Sequence, residues 1–161
     1  MISTVGKRSS LWTKWAVLVA VLLAVWVTLA LTRPTAKTVS MTPLSGLMTL
    51  KTMAADSVPF DSAIASSKPT LIEFYADWCT TCQSMSSTMN TLHQQYGEHI
   101  NFVMLNIDDP AAAPQVNQYR ASGVPQFTLL SETQAPVDTW VGKVPAPIFT
   151  DAFAQLLPSV S

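Results

Sequence analysis

Thr70-Leu-Ile-Glu-Phe-Tyr-Ala-Asp-Trp-Cys-Thr-Thr-Cys82 is the stretch on which the reading of this 161-residue chain turns. Its first six residues, Thr70 to Tyr75, are β-branched, aliphatic or aromatic apart from Glu73, and read as a buried strand. From Cys82 onward, Met85, Met89, Leu92 and Tyr96 recur at spacings of 3, 4, 3 and 4, which marks one face of a helix. Gly97 is placed to end that helix. The chain's only two cysteines, Cys79 and Cys82, therefore stand where a strand gives way to a helix. Unpaired amide N–H groups and the positive end of the helix dipole stabilise a thiolate at that point. Cys79 can then attack a substrate disulfide, and Cys82, three residues on, can turn back to resolve the mixed disulfide.

Blander readings of the pair compete with this one. A structural zinc site needs about four ligands, and the sequence has no second cysteine pair. A structural disulfide across a two-residue gap removes little entropy from the unfolded chain. Glu73 sits inside an apolar strand, where acids are rarely buried without a partner. It is either a carboxylate on an open sheet face or a buried proton acceptor beneath the cysteines, with its pKa raised toward neutrality. Pro125 precedes the short run Gln-Phe-Thr-Leu-Leu130, where a proline serves a turn or a strand start. Beside a Cys-x-x-Cys pair, the sharper expectation is a cis Val124–Pro125 bond whose loop faces the thiols and offers backbone groups to a peptide. His93 and His99 fall off the cysteine-bearing stripe and read as surface residues. Met85 and Met89 fall on it and read as core. Asp77 reads as a solvated loop acid that opposes a thiolate at Cys79.

Working outward, the N-terminal third has a different composition. Hydrophobic residues make up 48% of the chain and charged ones 12%, against about 25% charged in ordinary globular domains. The cause is the run Trp15-Ala-Val-Leu-Val-Ala-Val-Leu-Leu-Ala-Val-Trp-Val-Thr-Leu-Ala-Leu-Thr32, 18 residues without a charge. As a helix it reaches roughly 27 Å, close to the ~30 Å of a hydrocarbon core, with Trp12 and Trp15 at one edge. It is longer than the ~7–15 apolar residues of a cleaved signal. The organisation expected is a short basic segment over 1–14, a transmembrane anchor over 15–32, a Ser/Thr-rich tether over 33–57 and a folded domain over 58–161. Within the tether, Met41, Leu44, Leu47, Met48 and Leu50 are apolar enough for a short turn or a first strand.

Charge divides the same way. Residues 1–55 carry six bases and no acid, whereas residues 56–161 carry all ten acids and three bases. An acidic folded part repels phosphate and excludes nucleic acid as a partner. The basic part suits anionic lipid headgroups. Lys7, Arg8 and Lys14 before the span, against Arg33 and Lys37 after it, lean toward a cytoplasmic N-terminus and a domain across the membrane.

After the central stretch, Asn101-Phe-Val-Met-Leu-Asn-Ile107 predicts a second buried strand, Pro114–Tyr119 a short helix, and Phe127–Leu130 and Thr139–Val141 two later strands joined by a polar turn containing Pro136. Ile148, Ala152, Phe153, Leu156 and Leu157 predict a closing helix. Before the central strand, Asp61 is expected to cap a short helix that Lys68-Pro69 ends. The order α-β-α-β-α-β-β-α makes a mixed sheet covered by helices around one core.

Three ordered landmarks carry a resemblance: Glu73-Phe-Tyr-Ala-Asp-Trp-Cys-x-x-Cys82, Asn101-Phe-Val-Met-Leu-Asn-Ile-Asp108 and Gly123-Val-Pro-Gln-Phe127. Over residues 58–157 the chain resembles the thioredoxin superfamily. Pro125 lies 43 positions after Cys82, as in a plain thioredoxin without the insertions of DsbA-like, ResA-like or TlpA-like proteins. With its N-terminal anchor it most resembles the TxlA type, the membrane-anchored thioredoxin-like proteins of cyanobacteria and chloroplast thylakoids. The resemblance implies an α/β fold with a mixed sheet flanked by helices. It assigns Cys79 as nucleophile, Cys82 as resolver, Glu73 as buried acid and Pro125 as cis-proline, with Trp78 of the same motif counted among the site residues. It further implies a reductase of lumenal or periplasmic protein disulfides that is fed by a CcdA-type membrane protein and serves cytochrome maturation or assembly. No cofactor or metal is expected beyond the Cys79–Cys82 pair itself. Thr80-Thr81 in place of Gly-Pro, Ser87 in place of a helix-kinking proline and Met104 in place of a lysine depart from ordinary thioredoxins. Two other functions compete: a Cu(I) delivery module using the two thiolates, and a redox-inactive docking module that keeps the fold.

Overall fold

In the computed structural model the described residues are 9–31 and 43–157, with side chains over 14–26 and 44–157. The basic segment's residues 1–8, residues 32–42 with the last position of the expected span, and residues 158–161 lie outside the described residues. The chain divides into two units. The first contains helix α1, Ser9–Leu31, whose side chains over 14–26 are all exposed within that unit. Among the described residues no helix is long and apolar enough to cross a membrane, so the fold by itself does not establish the expected span.

The second unit is a four-stranded sheet between helices. Helix α2 covers Pro43–Asp56 and α3 Phe60–Ile64; strand β1 is Thr70–Tyr75, followed by α4, Thr80–Tyr96, and β2, Asn101–Asn106. A single 3₁₀ turn, Pro110–Ala112, leads into α5, Ala113–Gln118; β3 is Gln126–Leu130, β4 Pro136–Val141 and α6 Ala146–Leu156. The strand order is β2-β1-β3-β4. β1 pairs parallel with β2 and antiparallel with β3, so all six of its residues are buried. This explains its near-continuous apolar run.

Alternation along the strands separates two cores. Leu71, Phe102, Phe127 and Leu129 face α2, α4 and α6, meeting Met53, Met85, Met89, Leu92, Phe149 and Phe153. Ile72, Phe74 and Val103 face the other way, toward α3 and α5, with Ala63 buried and Phe60 and Tyr119 packed at the margin. The mixed sheet flanked by helices is thus as expected.

Several elements differ in detail. The expected tether 33–57 contains α2, and Leu50 and Met53 on it are buried, at 0% and 5% exposure. Folded structure therefore begins well before residue 58. Pro43 stands at the first helical position, where a missing N–H costs nothing. Gly46 is where α2 crosses α4: a Cβ there would lie 2.7 Å from the Gln83 carbonyl oxygen. Pro43 thus starts the helix and Gly46 lets it approach α4. Asp61 lies in the first turn of α3, whose N-cap is Pro59 without a side-chain hydrogen bond. Pro136 is the first residue of β4 and not part of a turn, as an exposed edge strand permits.

Candidate active site

Cys79 is the N-cap of α4, with φ −75° and ψ 102°, and its Sγ accepts the Cys82 amide N–H at 3.0 Å. An N-cap residue keeps extended backbone while its side chain satisfies an orphan amide of the first turn. In Cys79 that side chain is the sulfur, so the helix start that orders the loop also stabilises negative charge on Sγ. Cys79 and Cys82 form a disulfide with Cα atoms 5.3 Å apart. Cys79 retains 5% exposure and Cys82 none. Among the described residues no group of three or more His, Cys, Asp or Glu is placed to hold a metal ion.

The cysteines pack against Leu50, Tyr75 and Ala76, with Val124 at the edge. Val124 precedes Pro125 through a cis peptide bond, and the Pro125 carbonyl accepts the Gly142 N–H at 2.8 Å. The Pro125 loop thus lies at the cysteine cluster, where the sequence places it. Trp78 is 64% exposed beside Cys79, and its Nε1–H donates to Asp108 at 2.8 Å. This bond ties the cysteine loop to the segment after β2.

Glu73 is 2% exposed in the middle of β1, between Met104 of β2 and Phe127 of β3. It shares a sheet face with Leu71 and with Tyr75, which touches the cysteine cluster. The open-face alternative is therefore removed. Neither carboxylate oxygen has a hydrogen-bond partner, and burial pushes the carboxyl up from its ordinary value of 4.5 to about 8. Met104, standing where ordinary thioredoxins have a lysine, leaves it without a cation on the β2 side. The Tyr75 hydroxyl is raised as well, first by burial and then by the negative charges of Asp77, Glu73 and Asp109.

Three features escape the sequence reading. Lys51 of α2 reaches Asp77 at 2.6 Å, so the acid expected to oppose a Cys79 thiolate is paired with a cation from 26 residues upstream. Both side chains are well exposed, and such pairs contribute only ~0.2–1 kcal/mol. Leu50, assigned to the tether, is a wall of the cysteine cluster. His93, read as a surface residue, is half-buried and stacks on Phe102 with ring centres 5.0 Å apart. It follows Met89 by four residues, so it borders the buried stripe at ordinary helical spacing.

The thioredoxin family model matches residues 50–154. The chain is 38% identical over 117 residues to the thiol:disulfide interchange protein TxlA of Synechococcus elongatus, covering 71% of this chain and 61% of that one. It is 35% identical over 111 residues to the chloroplastic thioredoxin-like protein HCF164 of Oryza sativa, covering 69% of this chain and 42% of that one. It thus spans less than two thirds of the length of these relatives. The solved structure of thioredoxin NaTrxh from Nicotiana alata superposes with a TM-score of 0.53 at 21% identity, over 62% of this chain and 82% of that one; this likeness concerns the fold. A match that begins at Leu50 in α2 and includes Cys79, Cys82, Glu73 and Pro125 agrees with the geometry around the disulfide: the chain belongs to the thioredoxin family.

Proposed function

We propose that the chain is a membrane-anchored thiol–disulfide oxidoreductase that reduces disulfides of proteins on the lumenal or periplasmic side of its membrane. The observation that carries this reading is the cysteine pair at a helix start, where Cys79, the N-cap, keeps 5% exposure and Cys82 behind it keeps none. In the reduced state the Cys79 thiolate attacks one sulfur of a substrate disulfide. A mixed disulfide forms and the first substrate thiolate leaves. Cys82 gives its proton to Glu73, and its thiolate attacks Cys79 Sγ. The second substrate thiolate leaves, and the Cys79–Cys82 disulfide carries away two electrons' worth of oxidation. Glu73 suits the transfer because its carboxyl, at about 8, lies near a thiol's ordinary ~8.5. A proton moves between groups so matched at little cost. Trp78, Val124 and the Pro125 backbone frame the attacking sulfur for an extended peptide.

The pair itself carries the electrons, so no bound cofactor enters the cycle. A dithiol partner must re-reduce it, and the relationship to TxlA and HCF164 supports a CcdA-type membrane donor and a role in cytochrome assembly. The uncharged run from Trp15 to Thr32 supports the anchor, and the basic flanks support contact with anionic lipid. A Cu(I) delivery role and a redox-inactive docking role are the competing functions. An insulin-disulfide reduction assay with a dithiol donor separates them. Turnover that is lost in Cys79→Ser supports the reductase, whereas no turnover by the intact chain overturns it. Protease access to the domain in sealed vesicles of known orientation tests the proposed side of the membrane.

A further inference from the structure

In the oxidised protein Glu73 lies in a strand whose six residues are all buried, so exchange of its carboxyl proton with solvent needs a path. The structure offers a polar exit. A cavity of about 10 Å³ lies against Glu73, and apart from Glu73 its lining is apolar except for Ser57 and His93. That volume is about the minimum that holds one water, which needs two to four polar partners. Both Glu73 oxygens lack a partner, the Ser57 hydroxyl donates to the Ala54 carbonyl and keeps its lone pairs, and the imidazole can supply either a donor or an acceptor nitrogen.

The His93 ring stacks on Phe102. Gly97 leaves room for it: a Cβ there would come within 2.9 Å of His93 Cδ2 and 3.4 Å of Nε2. The imidazole both lines the cavity and is only half-buried. The other elements around Glu73 provide no rival carrier. β2 presents Met104 and β3 presents Phe127, α2 contributes Met53 to the cavity, and the remaining titratable neighbour, Tyr75, releases its proton only at a still higher pH than an ordinary phenol.

We infer that a water in this cavity links the Glu73 carboxyl to His93, and that the imidazole carries the proton of Glu73 to and from the surface. The inference rests on Glu73 being the acceptor of the Cys82 proton. In the oxidising direction Cys82 S–H becomes a thiolate and Glu73 becomes COOH. The acid then passes its proton through the water to neutral His93, and the imidazolium releases it to solvent. Re-reduction runs the same path backward. His93 touches neither substrate nor sulfur and acts through Glu73.

The test uses the full-length oxidised chain in detergent micelles. The C=O stretch of the protonated Glu73 carboxyl is followed by infrared after a jump from pH 6 to pH 9, with Glu73→Gln assigning the band. His93→Phe keeps the ring stack and removes both nitrogens. It should slow loss of the band about a hundredfold, the low end of what a positioned proton-transfer group supplies, and added imidazole should restore part of the rate. If His93→Phe does not fold to the wild-type circular dichroism, His93→Gln takes its place. Band loss at the wild-type rate in a folded variant overturns the inference. That outcome is distinct from failure of the Glu73 role, which would appear as unchanged insulin reduction in Glu73→Gln.

Discussion

Replacing Glu73 by Gln should raise the stability of the oxidised protein relative to the wild type progressively as the pH rises. The carboxyl of the folded protein titrates at about 8 and that of the unfolded chain near 4.5. Between those values the folded state holds a proton that the unfolded state has lost, so wild-type stability falls as pH rises through the window and levels off above about pH 8. The gap, at ~1.36 kcal/mol per pH unit, amounts to about 5 kcal/mol when fully expressed. At pH 5 less than about 1 kcal/mol of it is expressed. The advantage of the glutamine variant should therefore grow by about 4 kcal/mol between pH 5 and pH 9. The amide brings its own unpartnered N–H groups, but that cost is the same at every pH. Other titrating groups cancel in the difference, and the intact disulfide keeps both thiols out of it. Urea titrations of the full-length chain, followed by tryptophan fluorescence at each pH, read the difference directly. Wild-type and variant curves that stay parallel from pH 5 to pH 9 would refute the claim that this carboxyl is held dry and unpaired.

Two further predictions concern the helix that sequence reading mistook for linker. Gly46→Ala gains about 1 kcal/mol of helix propensity but drives a Cβ against the Gln83 carbonyl. Overpacking costs ~1–3 kcal/mol, so a lower denaturation midpoint is expected, and a raised one would show that α2 and α4 are not in close register. Lys51→Ala leaves Asp77 unpaired beside the cysteine loop. Losing ~0.2–1 kcal/mol of thiolate stabilisation should lower the reduction potential by about 5–20 mV, since 30 mV corresponds to ~1.4 kcal/mol. A glutathione redox titration measures this, and a potential that rises would reverse the assigned sign.

The central strand, the cysteine helix and the Pro125 loop were legible because each carries a local signal. These are an apolar run, a 3-4-3-4 stripe and a proline at a strand start. Glu73 was legible as an exception, a charge in a sequence that otherwise reads as buried. The position of α2 was not legible. Its apolar residues share the segment with Ser, Thr, Gly and Pro, and Gly46 acquires meaning only from the Gln83 carbonyl that it meets across the helix crossing. For the same reason Lys51 and Leu50 were invisible as site residues. Their partners, Asp77 and the cysteine cluster, lie more than 20 residues away and are reached only through tertiary packing. His93 was misread because residues 92 and 93 both fall near the buried face of α4, and the stripe counted only one of them. Pro136 reads as a turn residue because a proline is admitted to a strand only at an exposed edge, and that exposure is visible only in the sheet.

The measurement that bears most directly on the account is trapping of mixed disulfides. Cys82→Ser leaves the attacking sulfur and removes the resolving one, and a serine hydroxyl does not displace a thiol at neutral pH. Incubated in membranes from its own cells and analysed without reductant, this variant should accumulate disulfide-linked complexes with membrane-bound or lumenal proteins, whereas Cys79→Ser should accumulate few. Equal trapping by the two variants would contradict the division of labour between an attacking Cys79 at the helix start and a resolving Cys82 behind it.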